Sequence, residues 1–352
     1  MTIPETMSAA VLHAIGDFRC GSRPVPAQGP GRVLVRVKAA GVCGSDIPRV
    51  YEHGTYHFPL IPGHELAGEV AALGPGVEGW KPGGRAAVYP LIPCKRCPSC
   101  RRKRYELCDS YDYLGSRSDG AFAEYVVAPA ENLVPLPDGV SFEAAAMTEP
   151  AAVALHGLRR AGLAEGDEVA VFGAGPVGLF VAQIARSLGA ARVFVIDVIE
   201  PKLEVARALG FAEVVNARSL DVSARLREKT EGHGVHLAVE AAGVPATLHQ
   251  ALAICGKEAR LLWLGNPSAD VTLEQKEISS LLRRELTLAG TWNSSMVGPD
   301  SDWGTVLRLM AAGQLQTAPL VTHRFPVSEA PAAFAMMREG KEFFHKVLFV
   351  FP

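Results

Sequence analysis

The segment Val169-Ala-Val-Phe172-Gly173-Ala-Gly175-Pro-Val-Gly178-Leu-Phe-Val-Ala-Gln-Ile-Ala-Arg-Ser-Leu188 decides the fold of this 352-residue chain. A short apolar run ends at Phe172, three glycines follow in the spacing G-x-G-x-x-G, and a helical pattern begins at once. Between a strand and a helix the glycines have separate tasks. Gly173 permits a tight turn, Gly175 lets backbone approach a pyrophosphate, and Gly178 allows close helix–strand packing. Pro176 and Val177 open the helix, whose free N–H groups and positive dipole end favour an anion. The next strand, Arg192-Val-Phe-Val-Ile-Asp197, ends in an acid nineteen residues after Gly178. A carboxylate there accepts hydrogen bonds from a ribose and repels a 2′-phosphate. Residues 198–201 supply no cation to hold such a phosphate, although Lys202 lies just beyond. The cofactor expected is NAD.

Outward from this segment the pattern continues. Glu168–Phe172, Arg192–Ile196, Val235–Val239 and Arg260–Leu264 read as strands; Pro176–Leu188, Pro201–Leu209, Pro245–Ile254 and Leu273–Arg284 read as helices. Such alternation predicts a doubly wound parallel sheet covered on both faces. The first 150 residues differ. Gly and Pro interrupt them often, and Val33–Val37, Glu69–Leu73, Ala86–Tyr89 and Ala121–Val127 are short β-type runs, as in an irregular β-rich domain. After Leu286–Gly290 comes a polar stretch and then a final apolar strand, Lys346–Phe351. The expected division is residues 1–150 with 291–352 in one domain and 151–290 in the other.

A length of 352 residues suits about two domains. Hydrophobic content of 48% and charged content of 20% describe an ordinary globular protein, and a net charge of −2 gives no reason to expect nucleic acid or an anionic membrane as partner. The start, Met1-Thr-Ile-Pro-Glu-Thr-Met-Ser, has neither a basic n-region nor an apolar h-region, so the cytoplasm is expected. The uncharged run from Val169 to Ala185 is divided by Gly173, Gly175, Pro176 and Gly178 into a strand and a helix, so no membrane span is read there.

Cys94, Cys97, Cys100 and Cys108 stand in the spacing C-x2-C-x2-C-x7-C. Four thiolates on one loop suit a closed, structural zinc site. Disulfides are disfavoured in a long chain of this compartment. An iron–sulfur cluster of ferredoxin type would want the fourth Cys sooner and a Pro after it, where Asp109 stands. Upstream lie Cys43-Gly-Ser45-Asp46 and, twenty-one residues after Cys43, Gly63-His64-Glu65. Alone, these would read as a buried thiol and a core histidine.

Their company changes that reading. Gly63-His64-Glu65-x2-Gly68-x5-Gly74-x2-Val77 resembles the zinc signature of the medium-chain alcohol and polyol dehydrogenases. The Cys-Gly-Ser-Asp segment, the four-cysteine loop, Glu149-Pro-Ala-Ala-Val-Ala-Leu-His156 and the glycine fingerprint stand in that family's order. The resemblance implies a GroES-like β-rich catalytic domain beside the Rossmann domain, two zinc ions per chain, and oxidation of an alcohol by hydride transfer to NAD. It makes Cys43 and His64 ligands of the catalytic zinc, with Glu149 ranked first as third ligand and Glu65 as the competing acid. Asp46 would orient His64, and Ser45 would pass on the substrate proton; Pro48 stands where some relatives continue that relay with a histidine. Cys43–Arg49, Pro90–Cys94, Tyr111–Gly120 and Leu282–Leu286 resemble the bacterial galactitol-1-phosphate 5-dehydrogenase branch. That likeness implies a sugar-alcohol phosphate as substrate, with Arg49 and Arg117 as candidates to hold the phosphate. An unphosphorylated polyol or diol such as sorbitol, xylitol or butanediol, or threonine, is the alternative substrate. A non-catalytic NAD-binding zinc protein is the more distant alternative. The family also implies a homodimer or homotetramer, with Glu285–Gly290 as the pairing strand.

Overall fold

Six strands form an all-parallel sheet in the computed structural model, which describes residues 3–352. Their order is Glu213–Asn216, Arg192–Asp197, Glu168–Phe172, Val235–Glu240, Cys255–Trp263, Thr287–Gly290. Residues 169–172 are wholly buried, as expected of a central strand covered on both faces. The strand order reverses beside Glu168–Phe172, so a crevice opens at the carboxyl ends of this strand and Val235–Glu240. The glycine-rich turn occupies that position. The helix Pro176–Ser187 buries every residue from Gly178 to Ala185, which accounts for the uncharged run in the sequence. Among the described residues no helix is long and apolar enough to cross a membrane.

This sheet belongs to one of two units, formed by Pro150–Ser294 with Ala312–Leu320. The short return segment is tied in by Gln183, whose amide accepts from Gln316 N at 2.8 Å and donates to Gln316 O at 3.1 Å. The other unit takes the described residues up to Glu149, Ser295–Ala311 and Val321–Pro352. Its main sheet runs Val321–Phe325, Lys346–Val350, Arg32–Gly41, Glu65–Leu73, Arg85–Val88, Leu133–Pro135, and Tyr125–Pro129 also pairs with Arg32–Gly41. Phe122 packs edge-on against Phe334 and Phe349 in its core.

Several elements depart from the sequence pattern for local reasons. The hairpin Thr6–Ala14/Asp17–Pro24 carries a run of four consecutive buried residues and no clean alternation, and it escapes the pattern. The four-residue strand Glu213–Asn216 and the short, charge-rich helix Val222–Lys229 escape it too. Cys255–Trp263 begins five residues before Arg260, because Lys257 and Glu258 occupy an exposed irregularity with Glu258 at φ +58°. The strand expected from Ala121 starts only at Tyr125. Ala121 and Phe122 instead donate their N–H groups to the carbonyls of Gly63 and Pro62, next to His64.

Candidate functional site

Cys43 lies at the end of the strand Arg32–Gly41, just before a helical turn that starts at Asp46. His64 precedes the neighbouring strand, and Glu65 opens it. Pairing of Gly41 with Glu65 brings the two strand ends together, so that one ligand atom each of Cys43, His64 and Glu65 lies within 4.8 Å of the others. The loop before His64 is fixed by missing side chains. Gly63 has φ +97°, and a Cβ on it would lie 2.5 Å from the Phe122 ring. A Cβ on Gly115 or Gly120 would run into the Gly63 backbone.

Asp46 is wholly buried and faces this cluster. Its Oδ2 accepts the Cys43 N–H at 3.0 Å; Oδ1 lies 3.5 Å from His64 Nδ1 and 3.6 Å from Arg49 Nε. Burial alone would push the Asp46 carboxyl up. The charges of His64 and Arg49 and the Cys43 N–H overcome that and hold it below the usual range. Burial would likewise depress His64, but Asp46 carries it well above its ordinary value. Ser45 donates to Cys43 Sγ at 3.3 Å. Arg49, one of the two phosphate candidates, is thus engaged with Asp46.

The two candidate acids have different partners. Glu65 is 1% exposed, and its Oε1 accepts a 2.7 Å bond from Lys346 Nζ, which also donates to Val42 O at 3.0 Å. Glu149, in the first turn of the helix Thr148–Arg160, is outside the 4.8 Å ligand group and accepts from the Tyr113 hydroxyl at 3.2 Å. Burial and then the nearby Glu65 charge push the Glu149 carboxyl up to about 7, against the pull of His64, Lys346 and Tyr113. Tyr113 also packs on the His64 ring, with centroids 5.7 Å apart. Sequence reasoning assigned no role to Lys346 or Tyr113. A signal existed for Lys346, since an unpaired lysine heading an otherwise apolar strand would be costly. For Tyr113 there was none.

The residues fit a zinc ion. The ligand atoms of Cys43, His64 and Glu65 gather within 4.8 Å, Lys346 pairs with the Glu65 carboxylate, and one sulfur, one imidazole and one carboxylate are zinc donors. With Nδ1 directed at Asp46, Nε2 is left to the metal. The second cluster is closed. Cys94, Cys97, Cys100 and Cys108 gather their sulfurs within 4.8 Å, and main-chain N–H groups point at two of them, Cys94 N to Cys108 Sγ at 3.2 Å and Cys100 N to Cys97 Sγ at 3.4 Å. The N–H groups of Arg96 and Cys97 bring the Cys94 thiol down to about 6, whereas burial pushes Cys100 up to about 12. A bound cation reconciles these opposed tendencies by favouring the thiolate at all four.

In the nucleotide unit, a Cβ on Gly175 would meet no protein atom within 4 Å. The fold does not require glycine there; a ligand pressed against the backbone would. Gly175 caps the helix without a side chain, leaving the first N–H groups open, while Pro176 at the first turn has none to satisfy. Asp197 is already occupied: Oδ2 accepts the Ala174 N–H at 2.7 Å, and Oδ1 accepts those of Val198 and Ile199 at 2.7 and 2.9 Å. It therefore also anchors the glycine-rich turn. These features fit a dinucleotide.

Arg117, the other phosphate candidate, is sandwiched between the rings of Tyr56 and Tyr111, 4.3 and 4.2 Å from their centroids. Its two terminal nitrogens donate to Tyr56 Oη and Tyr111 O, each at 3.1 Å.

Residues 29–138 match the alcohol dehydrogenase GroES-like domain, and residues 176–312 match the zinc-binding dehydrogenase family. Galactitol 1-phosphate 5-dehydrogenase of Escherichia coli K12 is 37% identical over 320 residues, spanning 90% of this chain and 92% of that protein. Sorbitol dehydrogenase of Bacillus subtilis 168 is 33% identical over 358 residues, with 100% and 99% covered. Among solved structures, galactitol-1-phosphate dehydrogenase from Escherichia coli superimposes with a TM-score of 0.92 at 34% identity, covering 98% of this chain and 100% of that one. A zinc-binding dehydrogenase from Sinorhizobium meliloti 1021 bound to NADP gives 0.91 at 29% identity, covering 99% and 100%. The chain belongs to the zinc-binding alcohol and polyol dehydrogenases, oxidoreductases built from a GroES-like and a Rossmann-type domain.

Proposed function

We propose that this dehydrogenase oxidises a secondary alcohol of a sugar-alcohol phosphate to a ketone, with galactitol 1-phosphate giving tagatose 6-phosphate as the reaction that fits best. The observation that carries the zinc-dependent chemistry is the meeting of Cys43, His64 and Glu65 over the buried Asp46. When bound, zinc supplies Lewis acidity toward the substrate hydroxyl and NAD takes up the hydride. The alcohol loses a hydride and a proton, so ketone, NADH and a proton are the products.

Cys43, His64 and Glu65 would hold the metal, and Glu149, restrained by Tyr113, would be the reserve carboxylate. Asp46 fixes the tautomer and direction of His64. Ser45, beside Cys43, receives the hydroxyl proton. Four cysteines of the 94–108 loop would hold a structural zinc. Asp197 selects NAD over NADP. All seven cysteines are unpaired, which suits a reducing, cytoplasmic setting. The edge strand Thr287–Gly290, with Leu288 exposed, supports a homo-oligomer paired along that edge.

The phosphate reading rests on Arg117. Two tyrosine faces hold its guanidinium in place, and three of its five N–H donors have no hydrogen bond among those described, enough for a phosphate group. One observation favours an unphosphorylated polyol: two donors are already committed to Tyr56 and Tyr111, as they would be in a purely structural stack. A substrate panel with metal analysis on the same preparation separates the two. Two zinc ions per chain and turnover of galactitol 1-phosphate are expected. Arg117→Ala should raise KM for the phosphate ester about tenfold or more and leave sorbitol unaffected. Equal effects on both substrates would remove the phosphate contact, and activity confined to sorbitol, xylitol, butane-2,3-diol or threonine would remove the substrate assignment.

A further inference from the structure

Glu240 ends the strand Val235–Glu240 and is 1% exposed. Its Oε1 accepts the N–H groups of Ala242 and Gly243 at 2.9 Å and shares the single Thr247 hydroxyl proton, at 2.7 Å, with Val244 O at 2.6 Å. Its main-chain carbonyl accepts the N–H groups of Leu264 and Gly265, both at 2.9 Å. Oε2 is buried with no hydrogen-bond partner and stands 2.7 Å from the place a Gly265 side chain would begin. One residue thus ties together two loops, 241–244 and 264–266, at the carboxyl ends of adjacent strands.

Those loops abut the glycine-rich turn. Ala241 N donates to Phe172 O at 2.8 Å, and a Cβ on Gly173 would lie 2.9 Å from Ala242 N. Asp197 lies on one side of the Glu168–Phe172 strand and Glu240 on the other. With the ribose-binding acid on the first side, the second side receives the nicotinamide half of the cofactor. A carboxylate half satisfied in the interior is costly for folding alone.

We propose that the Glu240 carboxylate is a positioning group for the dinucleotide, presetting loop 241–244 in the conformation that receives the nicotinamide end. This rests on the NAD reading above. Loops already ordered lose less freedom when the ligand binds, so the latch acts on affinity.

The test is titration of NADH by fluorescence with the full-length, zinc-loaded protein well below its unfolding temperature. Glu240→Ala should raise the NADH Kd about tenfold or more. Glu240→Gln keeps an oxygen in the Oε1 position and should stay within about threefold of the parent, while Thr247→Val, which removes one donor, should weaken binding about threefold. The zinc content should not change in any of them. A purely structural carboxylate would lower the unfolding temperature of Glu240→Ala and leave the NADH Kd within twofold, which would overturn the proposal. If Glu240→Ala does not fold, an unchanged Kd in Thr247→Val overturns it. Failure of the parent protein itself to bind NADH would overturn the cofactor reading and the latch with it.

Discussion

The two candidate zinc sites lie in the same unit and are built on opposite plans. The 94–108 loop draws four identical ligands from fifteen consecutive residues, and its own backbone N–H groups serve the sulfurs. The Cys43 cluster draws unlike ligands from separate strand ends and depends on surrounding groups, with Asp46 under His64, Lys346 against Glu65, and Tyr113 against Glu149. Four sulfurs complete a tetrahedron and leave no position for substrate; three mixed ligands leave one. A metal held locally serves folding, whereas a metal held by distant residues can respond to a substrate.

The largest effect that can break this contrast is at Cys43. Cys43→Ser should lower kcat/KM about a thousandfold or more, reduce zinc from two ions per chain to one, and leave the unfolding temperature nearly unchanged. Retained activity with one zinc would place catalysis elsewhere. Cys100→Ser should act in the reverse order, with zinc loss and a fall of several degrees or more in the unfolding temperature coming first and activity following the folded fraction. If that variant kept its stability and oligomer size yet lost turnover, the roles of the two loops would be exchanged. The smallest effect sharpens the electrostatics. Lys346 and Glu65 are 3% and 1% exposed, so Lys346→Met should cost about 3 kcal/mol in denaturant unfolding, and adding Glu65→Gln should recover at least half. A cost below about 1 kcal/mol would show that the metal, not Lys346, balances the Glu65 charge.

The same contrast explains what could be read from the chain. Contiguous features were legible: the four-cysteine loop, and the strand, glycine turn and helix from Glu168 to Ser187, because neighbours in sequence carry the whole interaction. Cys43 and His64 gained meaning only from the family resemblance, since their meeting depends on the pairing of two strands. Lys346 lies 281 residues from Glu65, and no local pattern connects them. The family resemblance ranks Glu149 above Glu65 as third ligand. The folded chain places Glu65 with Cys43 and His64 and gives Glu149 to Tyr113, an arrangement set by side-chain packing, not by spacing. The hairpin at Thr6–Pro24 lacked the alternation that marks a half-buried strand.

Gly63, Gly115 and Gly120 meet with no atom to spare between them, and Arg117 rides on the loop that Gly115 and Gly120 frame. The part of the molecule that would choose the substrate is therefore geared to the part that would hold the metal. Retailoring at Arg117 needs both flanking glycines and Asp119, which accepts the Ile61 N–H at 2.9 Å; an insertion there, or one added methyl group on either glycine, would shift His64 along with the new specificity. Diversification of substrate in this scaffold should thus proceed by exchanging side chains on a loop of constant length.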